Sequence, residues 1–142
     1  MSQDILLLTA LVAVILMGSA MCSGIEAALL AVNPLRVHEL ARRKPKVLGA
    51  IRLEKLRHRI GRTLTVVTIA NNSFNIFGSL MVGSYATYIF QDRIGNVKPI
   101  FFVGLTILVL LLGEIVPKAL GTRLALQISL TSAPVLDFLS IV

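Results

Sequence analysis

Glu114 stands at the end of an apolar run, in the stretch LLGEIVPK at 111–118, with Gly113 just before it and Pro117 three positions on. A carboxylate inside a bilayer costs several kcal/mol unless it is paired, hydrated or bound to a cation. The flanking Gly and Pro predict a helix that kinks or opens, because Pro117 has no N–H to give the carbonyl one turn earlier. A freed carbonyl beside a carboxylate is a pair of hard oxygen ligands, and the chemistry it predicts is cation binding.

Two further polar seams match it. Ser19, Ser23 and Glu26 are spaced i, i+4, i+7 and share one helical stripe. Asn71, Asn75 and Ser79 are spaced i, i+4, i+8, and amides in a span need partners, so that face should point into the protein. At about 1.5 Å per residue, Ser23 lies roughly 13 Å from the inner end of its helix, with Asn71 and Glu114 roughly 12 Å from theirs. Hydroxyls, amide carbonyls, a carboxylate and a backbone carbonyl suit Mg²⁺, Ca²⁺ or Na⁺ and not zinc or copper, and spacing does not choose among the three. The plainer reading of such residues is hydrogen bonding between helices, and it is assigned to Ser73, Ser79 and Ser84. Glu26 has two readings, one of them a pair with a basic residue of the following connector. The cation reading requires that Glu114 face inward, with room for an ion beside it even if Lys118 or an arginine approaches.

Composition sets the medium. The chain has 142 residues, 56 % hydrophobic and 15 % charged, with a mean hydropathy of +0.85. That is wrong for a soluble domain and right for a few membrane spans. The net charge of +7 lies between apolar segments without an aromatic platform, so membrane orientation explains it and nucleic acid is not expected. The single cysteine, Cys22, excludes an internal disulfide and a Cys-rich metal site and reads as small apolar packing. Asp4 without an early Lys or Arg argues against a cleaved signal peptide. The stop at Val142 within an apolar run reads as a trimmed fragment.

The predicted elements are three spans at about 5–32, 63–90 and 99–121. Between the first two lies a connector, 33–62, holding ten of the fourteen basic residues. By the positive-inside rule it is cytoplasmic and the N-terminus is outside. Within it Val47, Leu48, Ile51, Leu56 and Ile60 recur at near-helical spacing, predicting a juxtamembrane amphipathic helix on anionic inner-leaflet lipid. His38 and His58 have no partner at metal-ligand spacing. Gly18 and Gly24 should let another backbone approach the first helix. Tyr85, Tyr88 and Phe90 are placed as an outer aromatic belt, 91–98 as an outer turn, and 124–142 as an interfacial or half-inserted helix pair.

The runs SGIEAALLAVNPLR (23–36), ANNSFN (70–75) and GEIVPK (113–118) resemble the transmembrane domain of the cyclin M/CorC proteins, in order and spacing over nearly the whole chain. The resemblance implies an all-α, homodimeric magnesium transporter of the cell (inner) membrane, with three spans per subunit and a belt of juxtamembrane helices. It implies alternating access and Na⁺ entry driving Mg²⁺ export. Carried over residue by residue, it makes Ser19 and Ser23 hydroxyl ligands, Asn71 and Asn75 amide ligands, Gly113 a carbonyl ligand and Glu114 a carboxylate ligand. Asn72 and Glu26 match only part of the family. Nucleotide binding belongs to cytoplasmic CBS modules, which this sequence does not contain. The activity expected is transport and not catalysis. The rivals are a carrier of another hard cation and a membrane-embedded Mg²⁺ sensor or scaffold that regulates partner proteins.

Overall fold

The computed structural model describes residues 2–43, 47, 49–89 and 98–139, and the regular structure in them is helical. The chain forms α1 (Ser2–Ala31), α2 (Pro34–Arg43), α3 (Ala50–His58), α4 (Ile60–Ile89), α5 (Lys98–Leu110), a π-helical turn (Leu111–Ile115), α6 (Val116–Arg123) and α7 (Ala125–Leu139). Two stretches are long and apolar enough to cross a membrane, Gln3–Ala31 and Phe102–Arg123. At 30 residues α4 is as long as α1, about 45 Å. However, its first half carries Thr63, Thr65, Thr68, Asn71, Asn72 and Ser73, and Asn75 follows at once. The predicted count of three spans therefore rests, for α4, on length rather than apolarity.

α1 is the axis of the molecule, packing on α4, on the π-turn and α6, and on α7. Two apolar clusters bracket a polar layer along it. At the end nearer the basic connector, Leu29 and Val32 pack with Val37, Leu53, Leu56, Val67, Ala133 and Leu136. At the far end, Leu8 and Ile15 pack with Val82 and Ala86. Between them lie the fully buried Ser19 and Ser23, with Asn71 nearly so. Much of the remaining surface is apolar, including Leu6, Met17, Met21, Ile69, Phe77, Leu80 and Val103. Leaving such area in water would forfeit about 25 cal/mol per Å².

Within its described residues the connector forms two helices, α2 and α3. Asn33 Oδ1 accepts the Leu35 N–H at 2.9 Å and Pro34 opens α2, a cap and an N1 proline that start a helix at once. α3 ends at Arg59, and α4 begins one residue later. The buried face of α3 is Ala50, Leu53 and Leu56, whereas Ile51, read as part of the apolar stripe, is exposed. Arg57 Nη1 donates to Leu29 O at 2.9 Å, occupying a carbonyl in the last turn of α1. His38 and Glu54 tie α2 to α3, and Lys55 lies 3.8 Å from Asp137 of α7.

Within the described residues of 124–142 there is one helix, α7, rather than a pair, although Pro134 lies inside it. The carbonyl that Pro134 cannot engage is that of Leu130. Gly49, at φ 84°, meets it so closely that a Cβ there would sit 2.2 Å from Leu130 O. Phe90 and most of the expected outer turn lie outside the described residues. Tyr85 and Tyr88 stack with ring centroids 6.4 Å apart.

Candidate metal centre

The α5–α6 rod is interrupted where its sequence reads LLGEI, and there the backbone widens into a π-turn with Val116 N–H donating to Leu111 O. Pro117 explains the position. In an α-helix its N–H would serve Gly113 O, and none exists. Gly113 is buried, and a Cβ on it would lie 3.3 Å from Ser19 Oγ, so its lack of a side chain brings the rod against α1.

Ser19 Oγ is the meeting point. It lies 3.1 Å from Asn71 Oδ1, 2.8 Å from Asn75 Oδ1 and 3.3 Å from Gly113 O. A hydroxyl has one proton to donate, so it satisfies one of these three acceptors at a time. Four oxygens from three helices therefore crowd together with a single hydrogen among them. One turn along α1, the Ser23 hydroxyl is fully buried with no hydrogen-bond partner, an arrangement that costs about 1–3 kcal/mol.

Glu114 carries the negative charge of the layer. Its Oε1 accepts from Lys118 Nζ at 2.8 Å, one turn along the same rod, with the side chains 34 % and 42 % exposed. The pair does not fill the space. A cleft of about 250 Å³ opens between α4 and α5 over α1, and Glu114, Asn75, Ser79 and Thr106 all line it. Most of its wall is apolar, including Val12, Ile15, Phe102 and Leu105, and open space remains beside the carboxylate.

Of the six residues expected as ligands, the structure joins Ser19, Asn71, Asn75 and Gly113 through one hydroxyl. Ser23 lies next along the stripe and Glu114 on the cleft wall. Glu26 accepts from Thr68 Oγ1 at 3.0 Å, a tie between α1 and α4 in place of the expected connector cation. Ser73 turns back on its own helix, donating to Ile69 O at 2.8 Å, and so makes no interhelical contact. Ser79 reaches the cleft. Ser84 is exposed. Lys118, named from the sequence as a group that could approach Glu114, does so one turn along the same rod. Thr68 carried no such signal, because its partner lies on another helix.

The model of the cyclin M transmembrane N-terminal domain family matches residues 10–142. The chain belongs to that family. A UPF0053 protein of Synechocystis sp. is 38 % identical over 136 residues, covering 95 % of this chain and 38 % of the relative. The chain thus spans well under half the length of that relative. As a cyclin M transmembrane domain the molecule is a membrane protein, and its apolar exterior faces what such a surface requires. In this cyclin M domain Ser23, Asn71, Asn75, Gly113 and Glu114 fall in the three sequence runs that carried the resemblance, and Ser19 lies one turn before the first of them.

Proposed function

We propose that this cyclin M domain carries Mg²⁺ across the membrane by alternating access, as a homodimer, with Na⁺ entry driving Mg²⁺ export. Ser19, Ser23, Asn71, Asn75, Gly113 O and Glu114 form the ion's path. The observation that supports this most is the excess of acceptors around one proton at Ser19. Carbonyl and hydroxyl oxygens crowded in this way repel one another, and a hard cation among them converts the repulsion into coordination. Glu114 supplies the charge that makes a divalent ion tolerable at that depth. Mg²⁺ favours six oxygens at about 2.0–2.1 Å and gives up water reluctantly, and the adjoining cleft leaves space for part of its hydration shell.

In this reading the basic connector faces the cytoplasm of the cell membrane on anionic lipid, and the N-terminus is outside. α4 is the second of three spans. The helices hinge near Gly24 and across 113–117, where regular hydrogen bonding is already broken. Nucleotide acts only through domains outside this sequence.

The competing arrangement turns the Asn amides so that their N–H₂ groups donate to Ser19, making a hydrogen-bond clamp with no ion. Mg²⁺-dependent thermal stabilisation separates the two. The wild-type chain should gain stability with Mg²⁺, more than with Ca²⁺, Mn²⁺ or Na⁺, and Glu114→Ala should lose the gain. An undiminished Mg²⁺ effect in Glu114→Ala removes the proposal. Flux into liposomes holding only this protein then separates a carrier from a Mg²⁺-binding sensor or scaffold, which would show none.

A further inference from the structure

The Lys118–Glu114 pair raises a question that the ligand set leaves open. The ammonium already holds Glu114 Oε1 at 2.8 Å, so an ion that takes both carboxylate oxygens, or needs the full charge, competes with it. Both groups are on one helical rod, one turn apart, so the ammonium is tethered to its acceptor. Glu114 lines the cleft, but Lys118 is not among the residues of its wall.

The surroundings give the displaced ammonium somewhere to go. α6 lies against α1 with nothing between them at Gly24, whose would-be Cβ is 3.5 Å from Pro117 O. One turn on, a Cβ at Gly121 would be 2.3 Å from Gly24 O. Lys118 falls between these two contacts in sequence. The Lys118 side chain is 42 % exposed, so it can swing without repacking the core.

We infer that Lys118 is a tethered cation that occupies Glu114 when no ion is bound, so that transported ions must displace it, and that this competition favours divalent over monovalent ions. The inference rests on the Mg²⁺ reading of the site. With the ammonium in place, the pair is neutral, and the empty carrier avoids the cost of a bare carboxylate in the membrane. A monovalent ion brings no more charge than the ammonium. It must also overcome the effective concentration of a tethered group, which for short tethers reaches the millimolar range or more. A divalent ion brings twice the charge and wins the carboxylate.

The test titrates Mg²⁺ and, separately, Na⁺ against the thermal unfolding of the chain in lipid nanodiscs. It compares wild type, Lys118→Met, Lys118→Gln, Lys118→Arg and Glu114→Gln. Removing the competitor should lower the Mg²⁺ half-saturation by about fivefold or more in Lys118→Met and Lys118→Gln, and Na⁺ should now stabilise them. Lys118→Arg should keep the wild-type ranking. In isotopically labelled wild type the Lys118 side-chain NMR signal should move on Mg²⁺ addition, a readout that needs no folded variant. Unchanged or weaker Mg²⁺ binding without the lysine, with Glu114→Gln still abolishing it, would make Lys118 a support and overturn the inference alone. A Lys118 signal indifferent to saturating Mg²⁺ would also overturn it. A Glu114→Gln chain that binds Mg²⁺ normally would instead bring down the site reading, and the inference with it.

Discussion

Ser19 Oγ stands 3.3 Å from Gly113 O, the carbonyl to which Pro117 can offer no hydrogen. The proline on one helix thus determines what a serine on another can meet. Its consequence can be tested from the proline. Pro117→Ala restores an N–H within reach of Gly113 O and allows the rod to close into a regular α-helix. Thermal stability should stay level or rise, since a proline inside a helix costs about 3 kcal/mol, while Mg²⁺ affinity should fall at least tenfold. A variant that keeps full affinity would disconnect the π-turn from ion binding.

The two buried serines should behave in opposite ways without Mg²⁺. Ser19→Ala removes the donor shared by three acceptors and should destabilise the metal-free protein by about 1–3 kcal/mol. Ser23→Ala removes a hydroxyl that has no partner and should leave the metal-free protein unchanged or slightly more stable. Both should weaken Mg²⁺ binding, and Ser23→Ala by less than loss of Glu114, because its ligand is neutral. Denaturation with and without Mg²⁺ gives both quantities.

Two glycines distinguish close packing from simple helix preference. Gly121→Ala would drive a methyl to 2.3 Å from the Gly24 backbone oxygen and should cost about 1–3 kcal/mol through overpacking. Gly61→Ala meets nothing within 4 Å and should stabilise α4 by up to about 1 kcal/mol. Unfolding midpoints moving the same way for both would contradict the α1–α6 contact.

At the connector end, Arg57 closes the last turn of α1 through Leu29 O. Arg57→Met keeps the apolar stem and removes the donor, so the loss should be about 1–2 kcal/mol. It should appear first as faster hydrogen exchange at residues 28–32. Equal exchange in mutant and wild type would assign the arginine to lipid contact alone.

What the sequence disclosed was the local part. The i−4 rule for proline pointed to a loosened carbonyl near Glu114, and helical spacing aligned Ser19 with Ser23 and Asn71 with Asn75. None of these shows that one hydroxyl gathers the amides and the carbonyl, because that depends on how three helices approach. In the connector two stripes, one through Ile51 and one through Leu53, are both near-helical, and spacing alone does not say which packs on the protein. The choice is made by α7, whose Ala133 and Leu136 share a cluster with Leu53. Pro134 suggested a break in α7, yet the carbonyl it leaves over is met by Gly49, and the helix runs through. The approach of Lys118 to Glu114 was foreseeable in the sequence, and the structure forms that pair.

The contact of Gly121 with Gly24 O also sets how the protein can move. Two main chains that touch directly cannot be pressed nearer, so this point behaves as a fulcrum. Gly121 lies two residues from the end of the rod, so a tilt about it would leave the α7 end nearly still and move Gly113, about 12 Å along the rod, toward or away from Ser19.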